Sequence, residues 1–287
     1  MTTQHFPELT ASSIVSTRNA LHAYARVLGD WLKQCRLKRK HWWHASLRPS
    51  LNGLTTGVIY ADIDFELELN LRDGLLQVRT SMGEQLSEKL NGQPAAELAD
   101  HMERFLVANG IDEQRISGRK DSVVSTAAHP GYSAQHARDI VQVINSVSSV
   151  MDTFRAGIRE ETSPIQLWPH HFDLSLLWLP GEIIAGQDPA NEEYADKQMN
   201  FGFTFGDEGI PEPYFYITAY PLPDALPNTQ LPAGTSWHSE GFNGAVLLYQ
   251  TLAEHSDPDT YLLALWRELL SAGREQFLIN TRGGSLS

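Results

Sequence analysis

Asp64-Phe65-Glu66-Leu67-Glu68-Leu69-Asn70-Leu71 alternates polar and apolar side chains without a break. Successive side chains on a strand point to opposite faces, so the stretch reads as a β-strand with one buried face. Arg72-Asp73-Gly74 follows and contains a dipeptide favoured in tight hairpins. Leu75 to Thr80 then returns as the partner strand. Antiparallel pairing is therefore the local rule. Asp64, Glu66 and Glu68 read as the wet face of that sheet rather than as metal ligands.

Upstream, Leu21, Tyr24, Ala25, Leu28, Trp31, Leu32 and Cys35 recur at helical spacing, which predicts an amphipathic helix over Ser16 to Leu37. Ser16 or Thr17 is the expected cap. Its basic end, Lys33, Arg36, Lys38, Arg39 and Lys40, suits the negative pole of the helix dipole, and a phosphate-binding patch is the competing reading. His41 to Pro49 alternates as a strand, Asn52-Gly53 marks a turn, and Gly57 to Tyr60 is a short strand.

Downstream, Pro94 and Asn109-Gly110 bracket a helix striped by Leu98, Met102, Phe105 and Leu106. Residues 111–132 form a long connection, with a short strand at Ser122 to Ser125 and a domain boundary near 120. A second long helix runs from Ser133 to Glu160 into Trp168-Pro169-His170-His171-Phe172-Asp173-Leu174-Ser175-Leu176, read as one strand closed by Pro180-Gly181. Asp188 to Asp196 is a polar loop. Strands follow at Met199 to Phe205, Tyr214 to Tyr220, Ser236 to Phe242 and Ala245 to Leu252. Pro221, Pro223, Pro227 and Pro232 forbid a central strand between them. Asp257-Pro258 opens a last helix that Gly273 ends or breaks. The fold class is α+β: antiparallel sheets with packed helices. The order of elements admits two pseudo-repeats of helix–strands–helix, an N-terminal half over 1–120 and a C-terminal half over 121–287 packed together. His41, Trp43, His44, Ser46 and Leu47 would then match His170, Phe172, Asp173, Ser175 and Leu176.

The 287 residues suffice for a sizeable core. The formal net charge of −13 repels nucleic-acid phosphates and anionic lipid heads, so neither is expected as a general partner. Cys35 is the single cysteine, which rules out an intrachain disulfide and suits a reducing cytoplasm. The first residues lack the pattern of a signal peptide, and the sequence shows no long apolar run. A soluble, cytoplasmic protein is expected. Oligomeric state is not legible.

Several stretches together resemble an uncharacterised bacterial family, a domain of unknown function. They are Leu21-His22-Ala23-Tyr24, His41-Trp42-Trp43-His44, Gly53-Leu54-Thr55-Thr56, Phe65-Glu66-Leu67-Glu68-Leu69, Arg79-Thr80-Ser81, Ser163-Pro164-Ile165, Phe172-Asp173-Leu174 and the Tyr216 to Pro221 segment. The resemblance spans nearly the whole chain and implies no assigned activity. Some members have Gly-Ser where this chain has His170-His171, which sets any mechanism needing both histidines apart from the family pattern.

Two kinds of site are legible. Tryptophans beside polar groups can line a mostly apolar pocket. Trp42, His44, Arg48, Trp168, His171, Trp237 and His238 are the pocket candidates, for a small molecule held between the halves. On extended strands, His171 with Asp173 and His238 with Glu240 would each share a face. Together they would offer two imidazoles and two carboxylates to a divalent metal, as in a metal-dependent hydrolase. The pocket reading is preferred to the metal. A third reading makes the proline-rich 221–232 segment a protein contact. Ser175 with His171 and Asp173 fails as a triad, because same-face neighbours on a strand stand about 7 Å apart. Whether the protein is an enzyme is not legible.

Overall fold

The computed structural model describes residues 6–116 and 124–282. It combines helices with antiparallel sheets, the expected α+β class. The chain divides into two compact units: Met1–Ser146 with Gln166–Asp173, and Val147–Ile165 with Leu174–Ser287.

The first unit opens with α1 (Ala11–Cys35), whose buried stripe is the expected one extended back to Ile14. The helix therefore starts before Ser16. Ser13 Oγ donates to the Thr10 carbonyl at 2.8 Å, while Thr17 is buried and its Oγ1 accepts the Ser133 N–H at 2.9 Å. Lys33 alone of the basic group lies in the last turn, so Arg36 and its successors stand beyond the helix rather than on its dipole. Residues Lys40–Ala45 form a 3₁₀ segment, not the expected strand. His41 (φ 51°) and Trp42 (φ 56°) occupy left-handed backbone, which breaks any two-residue alternation.

Five strands then make an antiparallel sheet in chain order: β1 (Arg48–Ser50), β2 (Gly53–Thr55), β3 (Phe65–Asn70), β4 (Leu75–Thr80) and β5 (Gln85–Lys89). Phe65 pairs with Thr80 and Asn70 with Leu75, the hairpin that the alternation predicts. The short strand expected at Gly57 to Tyr60 reduces to one bridge between Ile59 and Phe65. The polar face of β3 is drier than expected, with Glu68 only 6% exposed. Arg79 caps it, donating to Glu66 at 3.1 Å and to Glu68 at 2.9 Å, while Ser50 and Thr55 donate to the same two carboxylates.

Next come α2 (Ala95–Ala108) and the short α3 (Glu113–Ile116). The strand expected at Ser122 to Ser125 lies partly outside the described residues, and Val124 and Ser125 are irregular. Backbone bonds tie this connection to the first unit: Ala96 N–H to the Ser125 carbonyl, and His129 N–H to the Gly92 carbonyl at 2.7 Å. The division between units accordingly falls inside α4 (Ala134–Ala156). Then follow β6 (Glu161–Thr162), β7 (Gln166–Trp168) and β8 (Asp173–Leu179). The stretch read as one strand is thus cut in two. His171 and Phe172 both donate N–H to the Trp168 carbonyl, and Phe172 takes φ 58°, so Pro169 to Phe172 is a tight turn.

The second unit builds a sheet in the order β11-β12-β10-β9-β8-β6, with β9 (Gln198–Thr204), β10 (Tyr214–Tyr220), β11 (Thr235–His238) and β12 (Gly244–Leu248). Helices α5 (Tyr249–Ala253) and α6 (Pro258–Arg282) follow. Asp257 Oδ1 accepts the Thr260 N–H at 3.2 Å, the expected cap. Gly273 does not end α6. The Met199 sulfur fills the space its Cβ would need, so the glycine is there for close packing. Rings of Phe154, Phe201 and Trp266 meet in the core at centroid distances of 4.8 to 6.3 Å. The proline-rich segment is a loop with a 3₁₀ turn at Leu226–Asn228, as expected.

Candidate functional site

The chemistry of the first unit gathers along one side of α1. Asn19, His22, Arg26 and Asp30 recur at intervals of three or four, so they share a helix face. The Pro169 to Phe172 turn packs on this helix. Gly29 allows the approach, since a Cβ there would stand 2.7 Å from Pro169 Cγ. The His22 ring stacks on Phe172 at 5.8 Å, and its Nε2 lies 3.0 Å from the His170 carbonyl. A carbonyl only accepts, so neutral His22 carries its proton on Nε2 and its lone pair on Nδ1. The His170 ring lies 4.3 Å from that of His171 and edge-on to Trp168.

Crowding by protein atoms lowers the pKa of His170 to about 4, with His171, Lys33, His22 and Arg26 adding repulsion. His22 is lowered for the same first reason, against the opposing effect of its carbonyl bond. Both imidazoles are therefore neutral at pH 7.

Beside His22 lies a half-open cleft of about 170 Å³, lined by the α1 face and by Val124, Ser125 and His129. Among the described residues, His129 Nε2 is buried there without a hydrogen-bond partner. The lining mixes a cation, a carboxylate, two imidazoles, an amide and a hydroxyl over the apolar Ala23 and Val27. Such a site suits a small polar molecule. It is below the roughly 300 Å³ at which drug-sized ligands begin to fit.

A second group of side chains surrounds the Lys40–Ala45 segment. Trp42 is 40% exposed, stacks on His44 at 5.6 Å and carries Lys38 over its ring at 5.1 Å. His44 is buried, and its Nδ1 accepts the Arg39 N–H at 3.2 Å. Arg48 Nη1 donates to Ser46 Oγ at 2.8 Å and reaches Gln166 Oε1 at 3.3 Å.

The profile of a family of unknown function, DUF5996, matches residues 6–277. The chain belongs to this family. No curated protein and no solved structure matches it. DUF5996 carries no assigned activity, so a role must be argued from the side chains themselves.

The residues expected to form a site in this DUF5996 chain are distributed as follows. Trp42, His44, Arg48, Trp168 and His171 belong to the first unit, Trp237 and His238 to the second. Trp168 and His171 stand at the turn that packs on α1, while Trp42, His44 and Arg48 stand by the 3₁₀ segment. Trp237 Nε1 donates to the Thr229 carbonyl at 3.3 Å. Of the three candidate tryptophans, Trp42, Trp168 and Trp237, none is fully buried.

The strand alternation assumed for the metal set is not the geometry observed. His171 and Asp173 are separated by the left-handed Phe172 and do not alternate on one strand. His238 ends β11, and its Nε2 lies 2.6 Å from the backbone carbonyl of Glu240, which is past the strand. Among the described residues, no group of three or more His, Cys, Asp or Glu is placed to hold a metal ion. Ser175 is buried and donates to Asn200 Oδ1 at 2.7 Å.

Sequence reasoning missed the cleft. Its signal was present in the Asn19, His22, Arg26, Asp30 spacing. Attention to the apolar stripe of α1 passed over the polar one.

Proposed function

We propose that the first unit binds a small polar molecule in the cleft beside α1. The observation that carries this is the convergence of His22, Arg26, Asn19, Ser125 and the unsatisfied His129 Nε2 on one concavity. A buried ring nitrogen without a partner costs about 1–3 kcal/mol, which a ligand hydroxyl or carboxyl would recover. Neutral His22, its Nε2 proton already given to the His170 carbonyl, offers an acceptor at Nδ1, and Arg26 favours an acidic group. The single cysteine, buried in α1, supports a cytoplasmic setting. The net charge of −13 argues against nucleic acid or anionic membrane as a general partner. Among the described residues, no helix is long and apolar enough to cross a membrane.

The test is a thermal-shift screen of small hydroxy acids, amino acids and polyols against the full chain, with histidine ring resonances followed by NMR. A stabilising compound should move the His22 and His129 signals and lose its effect in His22→Gln. Failure of every compound at millimolar concentration to move either ring would end the proposal.

A further inference from the structure

Among the described residues, three arginines stand together in the first unit without an acidic partner. Arg48 is half-buried, and among the described residues its guanidinium is held through Nη1, by Ser46 Oγ, Gln166 Oε1 and the Leu47 carbonyl. Arg36 donates from Nη2 to the Thr56 and Val58 carbonyls. Among the described residues, neither these two nor Arg39 forms an ion pair. The carboxylates Glu66 and Glu68 on β3 are already engaged by Arg79, Thr55 and Ser50. Burial first, then Arg36 and Arg39, lower Arg48 to about 10, so its surroundings are cationic.

A second observation concerns donors. Gln166 is wholly buried; its Oε1 is taken by Ser46 and Arg48, but its Nε2 has no partner among the described residues. Trp43 Nε1 is also buried and unpartnered, on the segment whose carbonyl lies 2.9 Å from Ser46 Oγ. Buried donors without a partner, on residues beside guanidinium groups that form no ion pair, call for an acceptor that carries negative charge. Two consecutive left-handed residues, His41 and Trp42, set the course of the segment that leads to Trp43 and Ser46, at a cost of about 1–2 kcal/mol each.

We infer that Arg48, Arg36 and Arg39, with Gln166 and Trp43, form a binding site for a small molecule bearing a phosphate or a comparable multiply charged group. The site shares no residue with the α1 cleft and stands independently of it. A small anion is favoured over a polymer. A nucleic acid or an anionic bilayer would bring many charges against a surface that carries thirteen excess negative ones, whereas one phosphate group meets only the local cations.

The probe is inorganic pyrophosphate, titrated into the full chain at constant ionic strength. Calorimetry and the Trp43 indole N–H resonance are the readouts. Saturable one-to-one binding is expected, with movement of the Trp43 signal. Arg48→Gln should weaken it about tenfold or more, and Arg48→Lys should restore part of the loss. Arg104→Gln, exposed on α2 and part of neither site, should leave it unchanged. If Arg48→Gln fails to fold, the exposed Arg39→Gln carries the same expectation. A non-saturating response reproduced by sodium chloride would overturn the assignment, as would binding indifferent to Arg48 and Arg39. Retention on single-stranded RNA or anionic vesicles without a pyrophosphate response would replace the small molecule by a macromolecule.

Discussion

His170 ties the stability of the first unit to pH. Its folded pKa, about 4, lies below the ordinary value of 6.5. Above pH 6.5 the ring is neutral in both states and stability is full. Between 6.5 and 4 the unfolded chain takes up a proton that the folded chain does not, so stability falls as pH falls and levels below 4. Because His170 keeps an exposed edge, the loss is on the order of 1 kcal/mol rather than the full shift. His22 acts in the same direction. Urea denaturation at pH 7 and pH 4.5 should show a smaller acid loss in His170→Asn than in the natural chain; equal losses would count against the neutral imidazole. Gly29 gives a second test. Alanine gains about 1 kcal/mol of helix propensity, but its Cβ meets the rigid Pro169 ring at 2.7 Å. Overpacking costs about 1–3 kcal/mol, so Gly29→Ala should lower stability and move the His22 ring resonance.

At the scale of elements, periodicity was a good guide where one face meets the core. The β3–β4 hairpin, the β10 limits and the stripes of α1 and α6 follow from spacings of two and of three to four. It failed at His41–Trp42 and at Phe172. There the backbone turns left-handed, and long-range packing rather than local preference fixes the conformation. Both supposed aromatic-histidine strands fell to that cause, and with the second went the shared face of His171 and Asp173. The dry polar face of β3 was hidden for another reason. Alternation tells which side chains share a face, not what covers it. Arg79 supplies the cover, and Arg79→Ala should cost about 1–2 kcal/mol by leaving Glu68 half-satisfied in a buried place. Arg79→Lys should recover only part, because the Nη2 that reaches both carboxylates lies at the end of a longer, planar side chain than the lysine ammonium. Chemical denaturation of the three proteins checks both statements.

Over the whole molecule, charge is the property most plainly written in the sequence, and it separates general from local effects. The excess of negative charge repels itself, and sodium chloride screens that repulsion, the Debye length shrinking from roughly 20 Å to below 10 Å between about 20 and 200 mM salt. Salt also weakens the attractive pairs, such as Arg79 with Glu66 and Arg274 with Glu160. Those pairs are partly exposed and worth about 1 kcal/mol or less each. Net repulsion should therefore decide the sign, and the melting temperature should rise by a few degrees over this range. Binding of pyrophosphate at Arg48 should weaken over the same range, because the attraction there is between opposite charges. A melting temperature that falls with salt would mean that the attractive pairs outweigh the net charge. The repulsion argument against polymeric anions would then lose its footing, whatever the pyrophosphate titration shows.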